Sequence, residues 1–238
     1  MSRVLAIATR EFASFFRIPL GWVVVALFLS LSAVFFAQRT LVPGEPAEMR
    51  TFFGVWWFLL LFVTPAVSMR LLSEELRTGT IEPLLTAPVS EWTIVFGKYL
   101  AAVGFLAAML LPSVVFVGVL EYLARPDYGA IGAGYLGLLL LGMLYLAVGT
   151  LASTLTSSQT LAFLGTLFGL LLLDLAPSRL AAQAPEPWAG LLFKLSPSFR
   201  VTDFARGLID TSAAAYFLLA SFWFVALAAV ILQSRRWR

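Results

Sequence analysis

The sequence predicts an all-α integral membrane protein, and three observations predict it. Of 238 residues, 61% are hydrophobic and 12% charged, against about 45–50% and 25% in a soluble domain. A globule of that composition could not be covered with polar surface. The apolar residues fall into six runs, most of them near the roughly 20 residues a helix needs to cross a bilayer. None of the six runs, 18–37, 52–69, 99–120, 131–153, 160–173 and 213–232, contains Asp, Glu, Lys, Arg or His.

Residues 2–17 precede the first run. Arg3, Arg10 and Arg17 recur every seven positions and drift only about 20° per heptad on a helix, so they form one stripe. With Val4, Leu5, Ile7, Phe12, Phe15 and Phe16 opposite, this reads as an interfacial helix, arginines toward lipid phosphates and phenylalanines toward acyl chains. It does not read as a cleavable signal, because 18–37 is longer than a usual signal core and no A-x-A site follows. Residues 38–51, with Pro43, Gly44 and Pro46, form a polar turn region. Thr64-Pro65 in the second run and Pro112 in the third predict kinks.

The fourth run is glycine-rich, with Gly142, Gly149 and Ser153 placed for close packing, and the tight polar turn 154–159 follows it. Run 160–173 is short, about 21 Å at 1.5 Å per residue. It becomes a full span only by taking in the turn or Asp174–Ala176. Its Gly165-x-x-x-Gly169 pattern puts two glycines on one face, as close helix contact requires. Glu121, Asp174 and Arg39 sit at span ends and read as interface markers. Residues 174–212 hold four prolines together with Leu191, Leu192, Phe193, Phe199, Phe204 and Leu208. They predict short helices between spans five and six that lie at the membrane surface or dip into it. Trp22, Trp56, Trp57, Trp92, Trp188 and Trp223 read as interface or packing residues.

Six spans put both termini on one side. The N-terminus, the 70–98 loop and the tail hold nine Lys or Arg, and the opposite loops hold seven, four of them in the long 174–212 segment. The basic residues that flank spans closely favour cytoplasmic termini.

The densest patch of charge is 70–98, with Arg70, Glu74, Glu75, Arg77, Glu82, Glu91 and Lys98. Each central charge in hydrocarbon costs about 2.5–3.5 kcal/mol, so this stretch is expected to be a loop in water. Arg70–Glu74 at i,i+4 and Glu74–Arg77 at i,i+3 support a helix to about Arg77. Gly79 fits the position past its end. Thr80 can cap a short helix with Glu82 near its positive end and Pro83 in its first turn. Ile81, Leu84 and Leu85 line one face, Pro88 ends it, and Ser90 caps the next helix with Glu91 at its first position.

The remaining composition excludes several chemistries. There is no cysteine and no histidine, which removes disulfides, thiol catalysis and His-based metal sites. The sequence has no G-x-x-x-x-G-K-[ST], no H-E-x-x-H and no G-x-S-x-G. The chain is therefore not expected to be an enzyme or to hold a cofactor. A pI of 9.5 reads as topology and lipid-headgroup charge rather than nucleic-acid binding. Coupled transporters keep ionisable groups at midplane, and their absence from the runs points to energy entering from outside the bilayer.

Glu75, Arg77, Gly79-Thr80, Glu82, Leu84-Leu85, Pro88 and Ser90 together resemble the cytoplasmic loop of ABC-2 type transporter permeases (EE-x-R-x-G-T-x-E-x-L-L-x-x-P-x-S). Residues 196–217, with Ser196-Pro197, Phe204, Arg206-Gly207 and Ile209-Asp210 before the last span, look like the end of the gliding-motility-associated subgroup. The resemblance covers essentially all of 1–238 as a single permease domain. It implies a coupling helix docked on a separate ATP-hydrolysing subunit, which would hold ATP and magnesium. The contact residues it implies are Glu75, Arg77, Gly79, Thr80, Ile81, Glu82, Leu84, Leu85 and Pro88. It also implies pairing with an identical or different permease in a bacterial cytoplasmic membrane. The family's second coupling site corresponds to the turn 154–159, which here is short and uncharged. Two further readings stay open from the residues alone: an ATPase-independent channel or facilitator, and a membrane scaffold. The transported substrate is not readable.

Overall fold

The computed structural model of the chain describes residues 3–41, 48–81, 89–123, 126–185 and 187–235. Every regular element among them is helical: α1 Arg3–Arg17, α2 Pro19–Arg39, α3 Arg50–Ser68, α4 Ser73–Thr78, α5 Glu91–Leu110 and α6 Val114–Leu123, followed by α7 Tyr128–Leu155, α8 Gln159–Ala181, α9 Trp188–Leu195, α10 Pro197–Ala205 and α11 Thr211–Arg235. A 3₁₀ turn at Leu111–Ser113 separates α5 from α6. It sits where Pro112 cannot donate to the helical ladder. Among the described residues, six helices are long and apolar enough to span a membrane: α2, α3 continued into α4, α5 continued into α6, α7, α8 and α11.

α7 is the axis of the bundle. It touches α3, α5, α8, α10 and α11, and 72% of its most apolar window is buried, against 22% in α2 and in α8. Glycine makes this possible. A Cβ on Gly142 would lie 2.3 Å from Leu106 Cδ2, and one on Gly149 would lie 1.9 Å from Ser68 Oγ. Gly134 and Gly137 accept the rings of Phe53 and Phe204 in the same way. The Gly165–Gly169 pair does not form the close contact its spacing predicts. The nearest atoms to a Cβ there lie at 4.0 and 3.6 Å, which is ordinary contact. The tight helix face belongs to the fourth span, where α7 is enclosed on several sides. Between α2, α3 and α6, the rings of Phe28, Phe36, Phe52, Trp56 and Phe116 fill the core, with Phe52 and Trp56 centroids 4.5 Å apart.

The fifth span is complete. α8 runs through Pro177 to Ala181, so run 160–173 gains length at its far end. Asp174 therefore lies inside a helix and is 3% exposed, which corrects its reading as an interface marker. Its Oδ1 accepts from the Ser198 amide at 2.9 Å and the Ser196 hydroxyl at 3.3 Å, and its Oδ2 accepts from the Tyr145 hydroxyl. The carboxylate thus caps the start of α10 from another helix and ties α8, α7 and α10 together. Its charge is tolerated because three donors replace water.

α9 and α10 are the short helices expected within 174–212. α10 is set into the end of the bundle against α7 and α3, with Val201 and Phe204 buried, rather than resting at a surface. Gly207, at φ +84°, turns the chain against Ala130. Asp210 then accepts from the Ser212 amide and hydroxyl at 2.8 and 2.6 Å. Those two bonds hold its carboxyl below the ordinary range.

Candidate functional site

The charged stretch organises one end of the bundle. After Ser68 the chain turns and re-enters helix as α4, which ends at Gly79 in the left-handed conformation at φ 73°. A side chain is disfavoured there, as the sequence predicts for a residue past a helix end. Arg70 grips Glu74 with two nitrogens, Nε to Oε2 at 2.9 Å and Nη2 to Oε2 at 2.7 Å. Thr78 Oγ1 donates to Glu74 O at 2.9 Å and lies 2.9 Å from Thr80 Oγ1. Ser90 caps α5, accepting from the Thr93 amide at 3.3 Å.

The expected contact residues divide into two sets. Arg77, Gly79 and Thr80 are exposed and form one outward edge with Thr78. Glu75 and Ile81 are turned inward. Ile81 is 8% exposed and belongs to the chain's own core. Glu75 Oε1 lies 2.8 Å from Lys98 Nζ. Burying Ile81 and pairing Glu75 with Lys98 both pull the connection against the bundle. Glu82, Leu84, Leu85 and Pro88 lie outside the described residues.

Lys98 was not anticipated as a core residue. Its side chain is 3% exposed, with Glu75 on one side and Glu11 Oε2 at 3.5 Å on the other. The helix carrying it starts at Glu91, eight residues before the apolar run, and Lys98 enters the bundle with two opposite charges beside it. No local pattern marks this, since Glu11 and Glu75 are 64 residues apart in sequence.

α1 lies along α5. Phe15 stacks on Phe105 with centroids 4.8 Å apart, and Ile7 fills the space over Gly97. Arg3, Arg10 and Arg17 are all exposed, as one stripe requires, and Arg10 pairs with Glu11 at 2.9 Å. The expected apolar face of α1 thus meets protein as well as any lipid. A cavity of ≈ 70 Å³ sits between α1, α2 and α3, with Glu11, Ser14, Arg70 and Glu74 on its polar side.

Two more features gather at this end. α4 touches α7 and α8, which are joined by the turn 156–158. Arg235, at the end of α11, donates to Thr154 O at 3.0 Å and Leu155 O at 3.1 Å. A cation thereby closes the negative end of α7. Among the described residues no cluster of His, Cys, Asp and Glu could hold a metal.

The sequence model of the ABC-2 family transporter protein matches residues 49–232, which takes in every span but the first. The chain belongs to the ABC-2 transporter family. It is also 25% identical, over 152 residues, to the probable multidrug ABC transporter permease YbhR of Escherichia coli strain K12, and to its counterpart in Escherichia coli O157:H7. That likeness covers 63% of this chain and 41% of those relatives, so the chain spans under half of their length. An ABC-2 chain with six apolar helices is a multi-pass membrane protein. Its charged end is a connection between two spans that carries the exposed Arg77–Thr80 edge.

Proposed function

We propose that the chain is the permease subunit of an ATP-driven exporter in a bacterial cytoplasmic membrane. It works as a pair of permeases, identical or not, each docked on a separate ATPase subunit through the 73–90 connection. Both termini lie on the cytoplasmic side, lipid surrounds the spans, and ATP and magnesium belong to the partner. The observation that carries this reading is the exposed Arg77–Thr80 edge at the charged end of an ABC-2 bundle. The chain has no nucleotide-binding motif of its own, so the work must be supplied from outside. The naming of a relative as a probable multidrug permease fits export of an amphipathic cargo.

Co-expression with an ABC ATPase encoded beside the gene tests the reading. The two should copurify, and Arg77→Glu and Glu82→Arg should each reduce recovery of the ATPase at least tenfold. Gly79→Pro should do the same, because proline cannot adopt φ 73°. Full recovery in all three variants would refute docking at this connection.

A further inference from the structure

The Lys98 cluster joins three elements that the docking reading leaves separate. Glu75 belongs to α4, Lys98 to α5 and Glu11 to α1. Both carboxylates are mostly shielded, with side chains 19% and 18% exposed, and the ammonium between them is nearly closed off from water at 3%. Lysine suits this place, because a point charge with three donors can serve acceptors arriving from different directions, whereas a planar guanidinium favours both oxygens of one carboxylate. Removing the cation would leave two shielded carboxylates facing each other, which is far costlier than losing a surface pair.

The surroundings make this a mechanical link rather than a static rivet. Glu75 uses one oxygen on Lys98, and its Oε2 is buried with no hydrogen-bond partner among the described residues. That oxygen can take up a donor when the connection shifts, without the pair first being broken. α1 is laid flush on α5, since a Cβ on Gly97 would fall 2.8 Å from Ile7. Glu11, Ser14 and Phe15 of α1 also line the cavity shared with α2, α3 and Phe105 of α5. So α1 is fastened to α5 and α4, with a small free volume beside Glu11 and Ser14.

We propose that Lys98 is a positioning residue that makes α1 move with the docking connection, so that a push on α4 reaches the N-terminal helix and, through it, the first span. Gly21 of α2 lies against the Phe15 carbonyl, and the Trp22 indole donates to Phe16 O at 2.9 Å, which continues the path into α2. This proposal rests on the reading that the connection docks on an ATPase.

The chain has no cysteine, so spin labels can be placed freely at Thr9→Cys on α1 and Leu208→Cys at the opposite end. Their separation is measured in the complex with the ATPase, without nucleotide and with ATP trapped. In the parent chain the distance should change on trapping. In Lys98→Met and in the milder Glu11→Gln the change should fall to under half, while ATPase recovery in Glu11→Gln stays at the parent level. Glu11→Gln keeps the pair on α4, so it separates transmission from folding even if Lys98→Met does not assemble. An undiminished change in Glu11→Gln, or no change in a parent complex that does contain the ATPase, overturns the proposal. Failure of the ATPase to copurify with the parent chain overturns it together with the docking reading, and is seen at the binding step before any distance is measured.

Discussion

Asp174 and Glu75 are acidic residues whose roles depend on what reaches them from elsewhere in the chain. Asp174 has a hydroxyl from α7, a hydroxyl from the α9–α10 junction and the first free amide of α10. Replacing it with alanine strands the Tyr145 hydroxyl and the Ser198 amide, while Ser196 keeps the residue-174 carbonyl at 3.3 Å; each stranded donor costs about 1–3 kcal/mol, so a loss of about 3 kcal/mol is expected. Asparagine keeps an acceptor for the Ser198 amide and should cost about 1 kcal/mol. Melting midpoints of the detergent-purified variants would check this: Asp174→Ala should fall well below the parent, with Asp174→Asn in between. Equal midpoints for alanine and parent would mean that the capping does not stabilise the bundle. From the sequence, Asp174 is one of several charges near span ends. Its donors lie at 145 and at 196–198, and only the fold brings them together. Glu75 has the same history. Beside Arg77 on a six-residue helix, nothing local says which of the two faces inward, and Lys98 decides it.

The helices themselves were legible, and their ends and contact faces much less so. The cost of placing charge in hydrocarbon is large compared with any helix-end preference, so composition alone located all six spans. The start of α5 is where the Ser90 cap puts it, at Glu91, whereas α8 runs on to Ala181, well past the end of its apolar run. Glycine spacing was the weakest guide. Gly165-x-x-x-Gly169 has the better motif, yet α7 has the tight contacts, because motif spacing reports which face a glycine occupies and not what lies opposite. This gives a prediction that runs against the motif. Gly142→Ala and Gly149→Ala should each destabilise the protein by about 1–3 kcal/mol through overpacking, Gly149 more than Gly142. Ser68 Oγ is held by its bond to Thr64 O at 2.8 Å, whereas the end of Leu106 can rotate. Gly165→Ala and Gly169→Ala should leave the midpoint unchanged or slightly raised, since alanine is the better helix former. The four melting curves, taken in one detergent, would decide between motif and contact.

The molecule as a whole has two chemically different ends, and its orientation follows from them. One end collects Glu11, Lys98, α4, the turn after α7 and Arg235. The other collects the start of α7, Gly207 and the α9–α10 hairpin, with Gly137 and Ala130 as its contacts. The two are separated by the length of α7, 28 residues or about 42 Å at 1.5 Å per residue, which exceeds the roughly 30 Å hydrocarbon core. Both ends therefore reach water or headgroups, on opposite sides. The basic count of nine against seven decides orientation only narrowly, but the arginines of α1 and the end of α11 lie close to spans, where the rule is strongest. The charged end should then face the cytoplasm. Ser157→Cys and Leu208→Cys place one exposed thiol at each end of a chain that has no other. In spheroplasts, a membrane-impermeant maleimide should label Leu208→Cys within minutes and Ser157→Cys only after lysis. The reverse pattern would put the Arg77–Thr80 edge outside the cell, where no ATP-driven partner could reach it, and labelling of both thiols without lysis would mean that the bundle does not span the membrane as an intact barrier.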